Sequence, residues 1–437
     1  MIKILLKTSI IILLFSSCKS TNEKQQNVIT SDVANFWQAY DKIKTTNDSI
    51  QQIKYLKELF IDKGTPGLEG IMKVRRYTVD SYLKAIEKYP SFWETLRPNT
   101  QKIDRYTSEI KQGVGRFKKL YPDMKPAKIY FTIGALKTGG TTIEDKVLIG
   151  TEIAMSDATV DTSELAEEYP NLPNYFKTNI PSKSIVFANV HEYVHTQQDT
   201  TIANSLLSKT LIEGVAEFIT EKALDIASPN ESVIYGKMND EKIKSVFVKE
   251  MFTKFEIMWF WGYANNEFNK GDLGYYVGYA ISKSYFEQAE DKEKAIKEMI
   301  ELDYLDERKV YQFIDDSKYF SKSIAEYQKE SELKRPHVIG ITEFKNHSKN
   351  LGTSIKTMTI EFSKAMNTGL QNLRLGPLGE KNLLQVTRNL GWSKDGKKIT
   401  YEIRLKENLR QQLLLTDIFR SKEGYLLSPY LIDIKTK

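Results

Sequence analysis

The sequence predicts an α+β fold in two parts, a mostly helical body around a small sheet followed by an all-β module. Three observations predict it. Apolar residues recur at intervals of three and four from Ser31 to about Tyr121 and again from Ser182 to about Leu333, the period of a helix with one buried face. Two short β-branched and aromatic runs lie between these stretches. Beyond residue 335, apolar residues alternate with polar ones, the period of a half-buried strand.

The 437 residues exceed one average domain, so two or three folded units are expected. A net charge of +6 is spread over 63 basic and 57 acidic residues, with no basic block interleaved with aromatics, and no nucleic-acid partner is expected. The single cysteine is more informative. Cys18 follows Lys3 and Lys7, the apolar run Ile10 to Phe15 and the small pair Ser16-Ser17. That run is too short to span a bilayer. The pattern is similar to a bacterial lipoprotein signal, cut before Cys18 so that this cysteine carries the lipid. Phe15 stands where such signals usually have Leu, and the competing reading is an ordinary secretory signal with a free thiol. Residues 1–17 are read as the signal peptide and the polar segment 18–30 as a flexible tether. Lys19 occupies the place where Asp often marks inner-membrane retention, which favours an outer-membrane anchor. Without a second cysteine, an exported fold has no disulfide to rely on.

The helical part 31–125 comes first. Ile53, Leu56, Leu59 and Phe60 share a helix face, Gly64-Thr65-Pro66-Gly67 interrupts it, and Tyr82-Leu83 with Ala85-Ile86 resume it. Trp37, Tyr40 and Trp93 are read as core packing. The runs Lys128 to Ile133 and Lys146 to Gly150 follow, read as two strands joined by a loop containing Gly139-Gly140-Thr141-Thr142. That loop lacks the Lys and the helix of a phosphate loop and is read as a turn. The first strand is the candidate sheet edge along which an extended peptide would pair.

His191-Glu192-Tyr193-Val194-His195 carries the chemistry. The chain has four histidines, and two of them stand four apart here, on one face of a helix, where both can offer a nitrogen to one ion. Glu192 points to a neighbouring side, within reach of a metal-bound water without being a ligand, as a general base requires. Ile185, Val186, Val190 and Val194 bury the helix, and Thr196-Gln197-Gln198-Asp199 marks its exit. The competing reading is two hydrogen-bonded histidines on an ordinary amphipathic helix. A catalytic zinc needs a third protein ligand and an open position. Downstream, Glu213 and Glu217 stand four apart within LIEGVAEF, and carboxylates among such apolar neighbours must be paired or metal-bound. Gly214 is expected to let the two helices approach closely.

HEYVH followed by LIEGVAEF resembles the gluzincin metallopeptidases, the clan of thermolysin and related zinc aminopeptidases, whose third ligand is a glutamate on a second helix. The resemblance implies one Zn2+ held by His191, His195 and Glu213, with Glu217 orienting a ligand imidazole. The swapped assignment, with Glu217 as ligand, stays open. GYYVGYAISKSYF, Gly274 to Phe286, places Tyr275 and Tyr279 four apart. Gluzincins often aim a Tyr or His at the oxyanion, which makes Tyr279 a candidate catalytic residue, against core packing as the alternative. Over about residues 30 to 330 these three motifs are together similar to a family of predicted zinc proteases whose relatives include lipoproteins of the gliding-motility type.

In the last hundred residues, Met358, Ile360 and Phe362 form one alternating run, and Ile399, Tyr401, Ile403 and Leu405 another, with a hairpin turn expected at Asp395-Gly396. TIEFSKAMNT, GWSKDGKKITYEI and YLLSPYLIDI resemble the bacterial immunoglobulin-like sandwiches of cell-surface proteins. The resemblances imply a zincin-like domain over 31–335 and an Ig-like sandwich over 338–437. His337 and His347 show no ligand spacing.

The expected function is zinc-dependent peptide hydrolysis at the cell envelope, with Glu192 as general base, a peptide or protein as substrate, and the membrane reached through the lipid anchor. The Gly-Ala-Met-Glu-Asn element that aminopeptidases of this clan use to hold a substrate amine is absent, which favours an endopeptidase. The alternative is a non-catalytic zinc-binding envelope lipoprotein acting in assembly or adhesion. Intact Glu192 argues against it, since a structural zinc site is normally closed by a fourth protein ligand.

Overall fold

The computed structural model describes residues 27–253, 256–262, 264 and 266–437. The signal read at 1–17, and the tether from Cys18 to residue 26, lie outside the described residues; the end of the segment read as a tether is instead a strand, since Val28 and Ile29 pair with Ile129 and Tyr130. Six helices build the first part: α1 (Ser31–Ile43), α2 (Ser49–Leu56), α3 (Pro66–Arg75), α4 (Val79–Lys88), α5 (Pro90–Thr100) and α6 (Thr107–Leu120). Phe36, Trp37 and Tyr40 of α1 meet Trp93 of α5 and Phe60 in one buried aromatic cluster. The break at Gly64 to Gly67 is chemical: the Thr65 hydroxyl accepts from the Gly67 and Leu68 amides, and Pro66 opens α3. The face around Ile53 is not continuous. A π-helical turn over Lys57–Ile61 interrupts it, leaving Leu56 and Phe60 buried and Ile53 37% exposed.

A four-stranded sheet lies beside these helices. Its strands are β1 (Val28–Ile29), β2 (Lys128–Thr132), β3 (Gly140–Ile143) and β4 (Lys146–Gly150), in the order β1-β2-β4-β3. β2 and β4 run parallel, and β3 is antiparallel to β4. Two expectations are corrected here. The glycine segment is itself a strand, paired with β4 across a tight turn at Glu144, whose φ is +52°. β2 is an interior strand, because β1 covers its outer side; among the described residues the edges of the sheet are the two-residue β1 and β3.

The chain continues through α7 (Thr151–Ala154), α8 (Leu172–Thr178), α9 (Pro181–His195), α10 (Leu206–Leu224), α11 (Glu231–Met238), α12 (Asp240–Glu250), α13 (Leu273–Gln288), α14 (Lys292–Ile300), α15 (Glu307–Ser317) and α16 (Ile324–Lys334). α9 packs on β3 and β4, α10 packs on α9, and α13 crosses α10. Gly214 serves that second crossing and not the approach of α9. A Cβ on it would stand 2.0 Å from the Gly278 carbonyl carbon of α13, and one on Gly278 would stand 1.9 Å from the Thr210 oxygen. Among the described residues no helix is long and apolar enough to cross a membrane.

The last stretch holds β5 (Val338–Ile341), β6 (Thr357–Phe362), β7 (Leu373–Arg374), β8 (Gln385–Trp392), β9 (Lys398–Arg404), β10 (Arg410–Leu415) and β11 (Tyr430–Lys435). They form two antiparallel sheets, β5-β6-β9-β8 and β11-β10-β7. Met358, Ile360 and Phe362 of one sheet share a core with Leu413, Leu415, Ile432 and Ile434 of the other. The β8–β9 hairpin turns at Asp395-Gly396, where Gly396 takes φ +70°. Buried apolar residues fall into two clusters, one from Val28 to Ile324 and one from Val338 to Ile434.

Candidate metal centre

α9 begins at Pro181 and buries Ile185, Val190 and Val194, which turns His191 and His195 toward α10. α10 is capped by the Ser205 hydroxyl and is buried along nearly its whole length, so Glu213 and Glu217 are carried inside with it. The two helices bring three donor atoms together. His191 Nε2 and His195 Nε2 are 3.1 Å apart, and Glu213 Oε2 lies 3.4 and 3.2 Å from them. All three residues are buried.

The hydrogen bonds behind the rings determine what these atoms offer. The Tyr304 hydroxyl donates to the Met299 carbonyl, so its oxygen accepts from the Gln198 amide, which donates to the Ile212 carbonyl as well. Gln198 Oε1 therefore faces His195 Nδ1 at 2.7 Å as an acceptor, and the ring proton sits on Nδ1. His191 Nδ1 lies 3.1 Å from Glu217 Oε2, and the other Glu217 oxygen accepts from the Ser228 hydroxyl. With both Nδ1 atoms turned to acceptors, the two Nε2 atoms and a carboxylate oxygen converge on one point.

Such a cluster requires positive charge at its centre. Burial pushes the His191 ring down, but its bonds to Glu213 and Glu217 outweigh that and bring it up to about 10. Burial also opposes the Glu213 carboxylate, yet the charges of His195 and Lys209 hold it well below the usual range. A metal ion fits at least as well as a proton. The corners of a tetrahedral zinc site with bonds of about 2.1 Å are about 3.4 Å apart, close to the spacing here. Two imidazoles and one carboxylate are the donors of catalytic zinc sites, which keep a fourth position open. Glu213 Oε2 lies at the converging nitrogens, and Glu217 Oε2 lies on the far side of the His191 ring, against Nδ1.

Glu192 is outside this triangle. It faces the edge strand β3, where the Thr142 hydroxyl lies 2.9 Å from Glu192 Oε2 and a Cβ on Gly140 would meet Oε1 at 3.2 Å. Tyr279 is not brought to the centre: its hydroxyl donates to Glu221 Oε1 at 2.5 Å. Tyr275, one turn earlier and about 6 Å along the helix, takes that place, with its ring 6.1 Å from His191. Burial first, and then the charges of Glu213, Asp272, Glu192 and Glu217, push its phenol well above the ordinary value, so it stays protonated. Both tyrosines share a helix side, and only the depth at which α13 crosses α10 separates them.

Four further residues shape the site without a motif to mark them. Lys209, one turn before Glu213, donates to Glu213 Oε1 at 2.6 Å and leaves Oε2 to the centre. Its ammonium lies 5.1 Å from the ring of Trp261, which is 66% exposed and takes φ +66°. Gln198 and Ser228 act as described above. An (i, i+4) Lys–Glu pair inside an apolar helix is the one signal that a sequence offers for Lys209.

Residues 17–255 match the model of the family described as gliding motility protein GldB, a span that contains both histidines, Glu192, Glu213 and Glu217. No curated protein matches. Two solved chains are similar, the S-layer protein rSbsC(31-844), at 10% identity and a TM-score of 0.17, and the surface layer protein SbsC, domains 1-6, at 9% and 0.18. Each covers 93% of this chain, while this chain spans only 45% of each of them. At such TM-scores the likeness carries no argument.

Proposed function

The chain belongs to the gliding motility protein GldB family, and on that premise we propose that this cell-envelope lipoprotein binds one zinc ion at His191, His195 and Glu213 and hydrolyses peptide bonds there. The observation that carries this reading is the convergence of two imidazole Nε2 atoms and a carboxylate oxygen within 3.4 Å, with a further carboxylate, Glu192, beside them and not among them. We read the body around the centre as zincin-like, the C-terminal unit as Ig-like, and the anchor as outer-membrane.

Zinc held at these atoms supplies Lewis acidity and a water of lowered pKa. The rest is done by the chain. Glu192 accepts the proton of the attacking water and delivers it to the leaving amine. The Thr142 hydroxyl, within hydrogen-bond reach, steers that carboxylate. Among the described residues the Tyr275 phenol makes no hydrogen bond, and, held protonated, it is available to donate to the developing oxyanion. Beside Glu192, the unpaired edge of β3 offers backbone groups to an extended peptide.

Glu192→Gln keeps the shape of the side chain and removes the base. The expected outcome is stoichiometric zinc with peptide cleavage lost, measured by metal analysis and a chelator-sensitive assay on a mixed peptide library. Cleavage at the parent rate would refute the role of Glu192. The second reading is a zinc-binding envelope lipoprotein without catalysis, favoured by the gliding-motility description of the family. Stoichiometric zinc in the parent protein with no cleavage in that library decides for it.

A further inference from the structure

Two side chains of the C-terminal β unit reach into the helical body, three residues apart on one loop. Arg420 forms an ion pair with Glu250, the last residue of α12, and each side chain is only 8% exposed. Asp417 hydrogen-bonds to the Thr253 side chain. Both contacts lead inward. The second oxygen of Glu250 accepts from Trp259 Nε1 at 2.9 Å, and the Trp259 carbonyl accepts from the Gly274 amide at 3.0 Å, in the first turn of α13. Phe260 lies against Gly274, where a Cβ would come within 2.2 Å of its ring, and its centroid is 5.4 Å from that of Tyr275. Thr253 in turn accepts, through its carbonyl, from the Leu206 amide at 3.2 Å, at the start of α10. The β unit thus grips the N-terminal ends of the two helices that carry Glu213, Glu217 and Tyr275.

We propose that Arg420, on the C-terminal β unit, is a positioning residue of the metal centre: through Glu250 and Trp259 it holds the first turn of α13 and thereby keeps Tyr275 beside His191. The physical basis is the burial of the pair. Glu250 without Arg420 is an uncompensated buried carboxylate and must protonate or draw in water, and either change loosens its bond to the Trp259 indole. At that end the turn is also held by buried Leu273 and by the Tyr276 hydroxyl, which donates to Asp240, but it has no side-chain cap. The carboxylate of Asp272, at the cap position, accepts instead from the Gly262 amide at 2.8 Å. The C-terminal unit is then a structural part of the site rather than a spacer. The consequence for turnover rests on the proposed hydrolysis, whereas the mechanical linkage does not.

The test uses the full chain with Arg420→Gln, Arg420→Lys and, as a benchmark, Tyr275→Phe, reading amide hydrogen exchange by mass spectrometry alongside zinc content and peptide cleavage. Arg420→Gln is expected to speed exchange at the start of α13 by about tenfold or more while leaving α1 and β6 as they were. Arg420→Lys, which keeps the charge, recovers most of the protection. In the cleavage assay Arg420→Gln lowers kcat toward the Tyr275→Phe value with zinc retained. Exchange at α13 within about twofold of the parent overturns the proposal. If Arg420→Gln does not fold, Trp259→Phe, which removes the indole donor to Glu250, is read in the same way at the start of α13, and unchanged exchange there overturns the proposal as well. A parent that cleaves nothing removes the proposed hydrolysis but leaves the exchange result to decide the linkage.

Discussion

Each imidazole at the centre is aimed by an acceptor on its far nitrogen, Gln198 for His195 and Glu217 for His191. Removing that acceptor frees the ring to turn and its tautomer to switch. Gln198→Leu and Glu217→Leu are therefore each expected to weaken zinc binding by about 10- to 100-fold, measured by competition with a chromogenic chelator; parental affinity in both would show that the far nitrogens do no aiming. Tyr275→Phe is expected to lower kcat by about a hundredfold with zinc retained, while Tyr279→Phe, which loses a bond to Glu221 instead, leaves kcat within about twofold. Glu152 gives a prediction of another kind. It is fully buried, its oxygens accept from the Gly134 and Leu136 amides, and burial raises it from 4.5 to about 7. A carboxyl raised on folding binds its proton more tightly in the folded state, so stability falls as pH rises from 4.5 toward 7 and is level above that. The contribution is of the order of 3 kcal/mol. Glu152→Gln should flatten that slope in urea titrations across the same range, and an unchanged slope would assign the titration to another group.

At the scale of elements, the helices were legible and their partners were not. HEYVH announced α9 and its ligand face because i and i+4 spacing is a local property, and LIEGVAEF did the same for α10. What Gly214 packs against is a tertiary fact. A small residue in a helix says that something comes close, and here it is the backbone of α13 at Gly278, not α9. Gly278→Ala should therefore destabilise the fold by about 3 kcal/mol, because a Cβ 1.9 Å from the Thr210 oxygen meets backbone that cannot turn aside. A melting temperature within a degree of the parent would sink that account. The strand β3 was hidden for a related reason. Gly140-Thr141-Thr142 has the composition of a turn, and only pairing with β4 makes it a strand. The same pairing order puts β2 inside the sheet and leaves β3, next to Glu192, at an edge, which was hidden because β1 is two residues long and too short for any periodic signal.

Across the whole molecule, the helical and β parts were both legible from periodicity, because a change of period from 3.6 to 2 runs over many residues on each side of residue 335. Their docking was not, because it depends on Arg420 meeting Glu250 across 170 positions of chain, and an isolated Arg and an isolated Glu carry no periodic mark. That contact sets how metal binding should register in a thermal melt. The first buried cluster runs from Val28 to Ile324 and contains the centre; the second, from Val338 to Ile434, does not. Zinc at about a thousand times its Kd adds about 4 kcal/mol to whatever unfolds with the site. Spread over the unfolding entropy of that unit alone this is a rise of about 6 °C in Tm, and over that of both units together about 5 °C. If the two units were independent, only one of two transitions would move on adding a chelator. Because breaking the buried pair strands a charge on each side, the two are expected to unfold together in the parent, so that the chelator lowers a single transition. In Arg420→Gln the transitions are expected to separate, and only the helical one to follow zinc. Scanning calorimetry of the two proteins with zinc and with chelator distinguishes these outcomes. A parent melt that ignores the chelator would mean that no stabilising metal is bound at His191, His195 and Glu213. Two transitions already present in the parent, with one fixed, would mean that the Arg420–Glu250 contact does not unite the fold.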